Sequence, residues 1–214
     1  MKVTVVVDAF RSFATACYVL DQGVDHYALT NRCAVIDRLS QHCIQAFKVG
    51  KPEIGSTQKY DVYNSPTLVE KVQLVGKSIF HRCAAGAKGV LEADGDLILA
   101  AGFTNAKATA CYLQSLELES VEIKPMGHEG IRPTLEDEVC ANYIEALYYG
   151  RDFDVKAYAE RIKTGPGKYF FTEDQDQYPE QDFEKCMELN KFSFAIKAQL
   201  HGDYATLTRL ECSF

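Results

Sequence analysis

No apolar run in this chain approaches the roughly 20 residues that a membrane-crossing helix needs. Basic residues are in the minority: 23 Lys and Arg stand against 30 Asp and Glu, a formal net charge of −7. That balance argues against a nucleic-acid or membrane-surface partner, either of which favours a basic patch. The eight cysteines include no C-x-x-C pair and no zinc-ribbon spacing. There is no internal repeat and no low-complexity block. The opening Met1-Lys2-Val3-Thr4-Val5-Val6-Val7-Asp8 becomes charged too early for a secretory leader, so the expectation is a cytoplasmic protein whose thiols stay free as small core residues. What is present is ordinary for a globular domain, 47% apolar and 25% charged over 214 residues. This excludes a disordered chain, a collagen-like repeat and a coiled coil, and it leaves enough length for a large core.

Along residues 1–150 strand and helix signals alternate. Strands are expected at Val3–Val7, His26–Leu29, Ile44–Val49, Lys77–His81, Asp96–Ala100 and Val121–Lys124. Helices are expected at Phe10–Leu20, Ala34–Cys43, Phe103–Leu116 and Thr134–Tyr149, the last with Leu135, Val139, Tyr143, Ala146 and Leu147 on one face. Such alternation implies an α/β fold, one mostly parallel or mixed sheet layered between helices. Gly50–Pro66 reads as a long loop, and loops of that length are usually functional or disordered. Beyond Gly150 the character shifts to helical stretches at Tyr158–Lys163 and Gln181–Leu189, an acidic polar segment at Glu173–Glu180, and a mixed tail. The organisation expected is a single domain, with residues 1–150 as the core and 151–214 as an appendage packed on it.

In open α/β sheets ligands collect beyond the carboxyl ends of strands, and four polar clusters fall at such places. Asp8 and Arg11 follow the first strand: a carboxylate there can hold a hard cation, and a guanidinium offers a fork to an oxyanion, although a helix cap with its ion pair explains the same residues. Asn64-Ser65-Pro66 suits a capped helix start, with Ser65 as cap and Pro66 in the first turn, and such a start can also receive an anion. Cys83-Ala84-Ala85-Gly86-Ala87-Lys88-Gly89 is a small-residue loop open to close ligand approach. It superficially matches the cysteine-phosphatase loop, but Gly89 stands where the phosphate-binding arginine should be, and that mechanism is rejected. Finally, Gly127-His128-Glu129-Gly130 leads into Thr134-Leu135-Glu136-Asp137-Glu138. Thr134 with Asp137 resembles a capping box and the acids complement the helix dipole, while the same acids suit a magnesium site. His128 is the one histidine placed as a candidate proton donor.

In this order the clusters resemble the 2-phosphosulfolactate phosphatase family. The matching segments are Val6-Val7-Asp8-Ala9-Phe10-Arg11, Asp61-Val62-Tyr63-Asn64-Ser65-Pro66, Gly102-Phe103-Thr104-Asn105-Ala106, and Gly127 and Gly130 followed by Leu135-Glu136-Asp137 and Cys140-Ala141. The match covers about residues 3 to 150, and continues weakly to Leu189 through Asp182-Phe183 and Cys186. The resemblance implies a Mg2+-dependent phosphatase acting on a small anionic phosphate ester, in the family phosphosulfolactate on the way to coenzyme M. It implies Asp8, Glu136 and Asp137 on the metal side, Arg11, Asn64, Ser65, Gly86 and Asn105 on the substrate side, and Asp8, Arg11 and Asp137 as the catalytic set. The nucleophile stays open between a metal-activated water and a carboxylate, which give Asp8 different roles. A homo-oligomer is compatible with the sequence. The chain also departs from the family. Thr-Asn-Gly-Thr followed by Arg is replaced by Ala84-Ala85-Gly86-Ala87-Lys88, the loop's Gly-Glu-Arg by Gly50-Lys51-Pro52 with Glu53 displaced, and two glycines by Tyr63 and Asn142. The rival reading is therefore an inactive relative that binds a small anion.

Overall fold

The computed structural model describes residues 1–52 and 58–212. Glu53 and the middle of the expected Gly50–Pro66 loop lie outside the described residues. In chain order the elements are β1 (Lys2–Val7), α1 (Ser12–Asp21), β2 (His26–Thr30), α2 (Cys33–Ser40), β3 (Ala46–Val49), α3 (Pro66–Glu70), β4 (Ser78–Arg82), α4 (Ala85–Leu91), β5 (Leu97–Ala101), α5 (Ala106–Gln114), β6 (Ser120–Pro125), α6 (Leu135–Tyr148), α7 (Ala159–Thr164), α8 (Tyr169–Thr172), α9 (Gln181–Met187), β7 (Phe194–Leu200) and β8 (Ala205–Glu211).

All eight strands join one mixed sheet in the order β3-β4-β2-β8-β7-β5-β1-β6. β3, β4 and β2 are parallel to one another, as are β5, β1 and β6. The antiparallel hairpin β7–β8 stitches the two groups together, β8 pairing with β2 and β7 with β5. Because three antiparallel steps separate β2 from β5, the two parallel groups run in opposite directions. The mixed tail expected after Leu189 is thus a pair of central strands, woven into the middle of the sheet.

Helices cover both faces, which is why β1 is a nearly unbroken valine run and not an alternation. Val3, Val5 and Val7 face a core built with α5 and α6, while Val6 faces the opposite core. That second core unites Tyr27 and Leu29 of β2, Phe47 of β3 and Ile79 of β4 with Phe13 and Cys17 of α1 and Ala87 and Val90 of α4. α4 lies across the sheet, touching β2, β8, β7, β5 and β1. It was not anticipated from the sequence, because its residues Ala85-Gly86-Ala87-Lys88-Gly89 carry two glycines and no apolar period. α3 starts as expected: Pro66 occupies its first turn and the Ser65 hydroxyl accepts the Leu68 N–H at 3.1 Å. The capping box expected at Thr134 does not form, and the Thr134 side chain makes no cap bond. Asp137 is turned inward instead. No disulfide joins the cysteines among the described residues, and no described helix is long and apolar enough to cross a membrane.

Candidate active site

The loops that follow β1, β4 and β6 meet at one cavity of about 550 Å3, and the segment from Pro166 to Tyr178 closes its far wall. Asp8, Arg11, Asn64 and Glu136 all line it. Distant stretches of chain therefore do converge, as the order of the polar clusters implied.

Asp8 leaves the end of β1 only 3% exposed. The Ser12 hydroxyl donates to its Oδ2 at 2.6 Å and the Ser12 N–H to its Oδ1 at 3.3 Å. Burial raises its pKa, and the bonds from Ser12 and the neighbouring Arg11 only partly oppose this. Glu136, in the first turn of α6, is pushed up to about 7, first by burial and in addition by Asp8 and Glu138. Its Oε2 is buried and finds no hydrogen-bond partner among the described residues, and the same holds for Asn64 Oδ1.

Asp137 stands behind these groups. Its Oδ1 accepts the Ala9 N–H and its Oδ2 the Gly127 N–H, both at 2.7 Å. One carboxylate thus fastens the loop after β1 to the loop after β6. Burial raises its pKa well above the usual range, and Asp8 and Glu136 raise it further. Gly127 can take this position because its φ of +68° is open to glycine, and a side chain there would run into the Arg132 carbonyl. Lys88, which replaces the family arginine, does not line the cavity; its Nζ reaches the Gly130 carbonyl at 3.5 Å and props the turn.

Arg11 is held from the opposite side. One of its NH1 bonds goes to the Gln177 carbonyl at 2.8 Å and one to Asp182 Oδ2 at 2.9 Å, and its guanidinium lies 4.7 Å from the Tyr178 ring centroid. Asp182 is fully buried. Its Oδ1 also accepts the Ser65 hydroxyl at 2.7 Å and the Thr67 N–H at 3.0 Å. Sequence reasoning noted Asp182 only as part of a weak match, since its partners lie 115 to 171 residues away.

The remaining expected site residues sit behind the cavity wall. Ser65 divides its hydroxyl between Leu68 and Asp182 and is fully buried. Asn105 closes a local turn, accepting the Gly102 N–H at 3.0 Å and donating to the Ala100 carbonyl at 3.1 Å. Gly86 approaches Asp8 so closely that a Cβ would lie 2.9 Å from both Asp8 Oδ2 and Ser12 Cβ. Gly86→Ala is therefore expected to cost about 1–3 kcal/mol of stability by overpacking, read as a lower urea midpoint at unchanged slope. An unchanged midpoint would show that Asp8 and Ser12 can move aside. His128 lines the cavity and is exposed. Cys83 lines it too, but burial and the nearby Asp8 carboxylate push its thiol up to about 12, so it stays protonated and cannot serve as a thiolate nucleophile.

Three buried acids with raised pKa values make the metal-free protein more stable in mild acid. Their folded forms bind protons that the unfolded chain has released, so stability present at low pH is lost as pH rises. For Glu136 the window runs from its ordinary 4.5 to about 7. In chelator, the melting temperature is expected to fall as pH rises from 5 to 8, and a flat or rising profile would contradict the geometry.

Among the described residues no group of three or more His, Cys, Asp and Glu is placed to hold a metal ion alone. Magnesium does not need such a cage: it keeps several waters and is commonly held by one or two carboxylates plus substrate. Asp8 and Glu136, with the unsatisfied Glu136 Oε2 and Asn64 Oδ1, supply hard oxygen donors to one cavity and fit that pattern.

Comparison with known proteins adds two findings. The family model described as 2-phosphosulpholactate phosphatase matches residues 1–163. A protein of Thermosynechococcus vestitus described as a probable 2-phosphosulfolactate phosphatase is 26% identical over 150 residues, covering 69% of this chain and 61% of that protein's length. The match thus spans less than two thirds of the relative. Asp182 and the β7–β8 hairpin lie beyond the residues that the family model matches.

Proposed function

The chain belongs to the 2-phosphosulfolactate phosphatase family, and from that membership and the cavity's chemistry we propose that it is a magnesium-dependent hydrolase of a small phosphate monoester. The observation that carries this reading is the convergence of Asp8, Glu136, Asn64 and Arg11 on one cavity, with Glu136 Oε2 and Asn64 Oδ1 buried and unsatisfied. Buried carboxylates that repel one another are costly unless a cation joins them. An anionic ester would meet the same repulsion.

Asp8 and Glu136 would hold the magnesium ion, and the ion would neutralise charge on the transferring phosphoryl group. Asp137 braces the two loops that present these acids. Arg11, pinned by Asp182 and Tyr178, orients a phosphoryl oxygen, and its fixed position means little is lost in ordering it at the moment of reaction. Asn64 directs a side-chain amide at the same space.

The test is phosphate release from phenyl phosphate by the full chain, with magnesium and with chelator. Magnesium-stimulated turnover is the expected result. Its absence across a panel of phosphate esters would favour the second reading, a relative that binds without turnover. Ala84 and Ala85 favour that reading, because their side chains line the cavity without offering a hydrogen bond to an anion.

A further inference from the structure

The sheet has two edges, and only one of them is covered. Beside β3, Val62 bridges Val49 and its carbonyl accepts the Gly50 N–H at 2.9 Å. At the other edge, β6 pairs among the described residues with β1 alone. The Met126 N–H donates to the Val7 carbonyl at 2.9 Å. By strand alternation the backbone groups of Val121, Ile123 and Pro125 then point away from β1, towards the open side. Pro125 brings no N–H there, as is usual for a proline on an edge strand. Such an edge is a template for another strand.

The sequence of this edge, Ser120-Val121-Glu122-Ile123-Lys124-Pro125, is complementary to its own reversal in one register. A second β6 laid antiparallel across a two-fold axis meets the same residues in the opposite order. An axis at Glu122 or at Lys124 sets like charges directly opposite each other, which is unfavourable. An axis at Val121 or at Pro125 leaves half of the strand unpaired. An axis at Ile123 sets Glu122 opposite Lys124 of the second copy, and Lys124 opposite its Glu122. Ile123 then exchanges both of its backbone hydrogen bonds with its own counterpart. Each Val121 N–H reaches the Pro125 carbonyl of the other copy, so the missing proline donor costs only the outermost bond.

The side chains agree with that register. Val121 and Ile123 pair with Val3 and Val5 and share their face of the sheet, the face that α6 covers. Together with Pro125 they border a groove of about 570 Å3 between β6 and α6, closed at one end by the exposed Tyr149. The second copy sets its own Val121, Ile123 and Pro125 on this face, beside the groove. The exposed acids on the groove are Glu138 and Glu145, and Arg151 lies 3.8 Å from the latter.

We propose that the protein is a two-fold symmetric dimer in which β6 pairs antiparallel with β6 of a second copy, centred on Ile123, to form one continuous sheet. The proposal stands independently of what the cavity hydrolyses.

Sedimentation equilibrium of the full chain at tens of micromolar tests it, the expected mass being twice the chain's 23.9 kDa. Glu122→Lys and Lys124→Glu each set like charges in both cross-strand pairs, and each should weaken the dimer at least about tenfold. Neither side chain is buried, so both variants should keep the parent's circular dichroism; Glu122→Lys, the more exposed, decides alone if the other unfolds. The two variants mixed in equal amounts should recover a dimer, because each supplies the charges that the other now lacks. The exchange variant Glu122→Lys/Lys124→Glu should dimerise like the parent. A monomeric parent overturns the proposal. So does a dimer that neither reversal weakens, since it lies on another surface, and so does a mixture that stays monomeric.

Discussion

Asp8→Asn is expected to abolish magnesium-stimulated phosphate release, by roughly a thousandfold or more, without harming the fold. The two effects separate because Asp8 is held for its charge at a cost in stability. Its carboxylate is buried, its pKa is raised, and Asp137 and Glu136 lie close enough to be raised by it in turn. An asparagine keeps an oxygen for the Ser12 hydroxyl, removes one like charge from the acid cluster and withdraws a hard anionic donor from the cation. In chelator the variant should therefore melt at the same temperature as the parent or higher. Magnesium, which stabilises the parent by binding its folded form, should raise the variant's melting temperature much less. A variant that retains magnesium-stimulated turnover would remove Asp8 from the reaction. One that melts far below the parent in chelator would show that the carboxylate is structural.

Asp182→Ala is expected to give the largest loss of stability of any single polar substitution around the site, about 3–5 kcal/mol, or a fall of about 10 °C in a chain of this length. The truncation leaves the Arg11 charge buried and also removes the acceptor of the Ser65 hydroxyl and the Thr67 N–H. Activity should fall as well, because Arg11 loses the contact that aims it. Urea unfolding with intrinsic tyrosine fluorescence reads the first effect. The double variant Arg11→Met/Asp182→Leu checks the cause: replacing both partners with apolar groups should recover a substantial part of the loss. Failure to recover any would assign the damage to Ser65 and Thr67 and not to the stranded cation. A loss under about 1 kcal/mol for Asp182→Ala would show that Asp182 braces nothing.

Much of this was legible in the amino-acid sequence, and what was missed has identifiable physical causes. β1, β6 and α6 announce themselves through a valine run, a short β-branched segment and a helical apolar period, and they fall where expected within a residue or two. Asp8 and Arg11 reach the cavity from the end of β1, whereas Asn64 comes from just before α3 and Glu136 from the first turn of α6. Ser65, Asn105 and Asp137 show the limit of that reasoning. Each is a polar residue at a strand or helix end, but the side chains of Ser65 and Asn105 turn to local backbone and buried partners, and Asp137 to two backbone amides. Residue type and spacing cannot report which way a side chain points. β7 and β8 were missed for a different reason. Phe194-Ala195-Ile196-Lys197-Ala198 is buried at four of its five positions and shows no clean alternation, although Gly202-Asp203 and the alternating Ala205-Thr206-Leu207-Thr208 do carry a hairpin signal. Asp182 left no local trace, since its role exists only once α9 has packed beside α3.

The placement of the hairpin has a consequence for how the molecule comes into being. β2 and β5 each lack a neighbour on one side until β7 and β8 arrive, and those two leave the ribosome after the other six strands of the sheet. During synthesis the earlier residues can form two separate parallel triplets, each with one raw apolar border of unpaired backbone groups. Residues 194–211 then seal both borders together. A nascent chain of this kind stays adhesive until the hairpin has emerged, and holding chaperones would meet it before then.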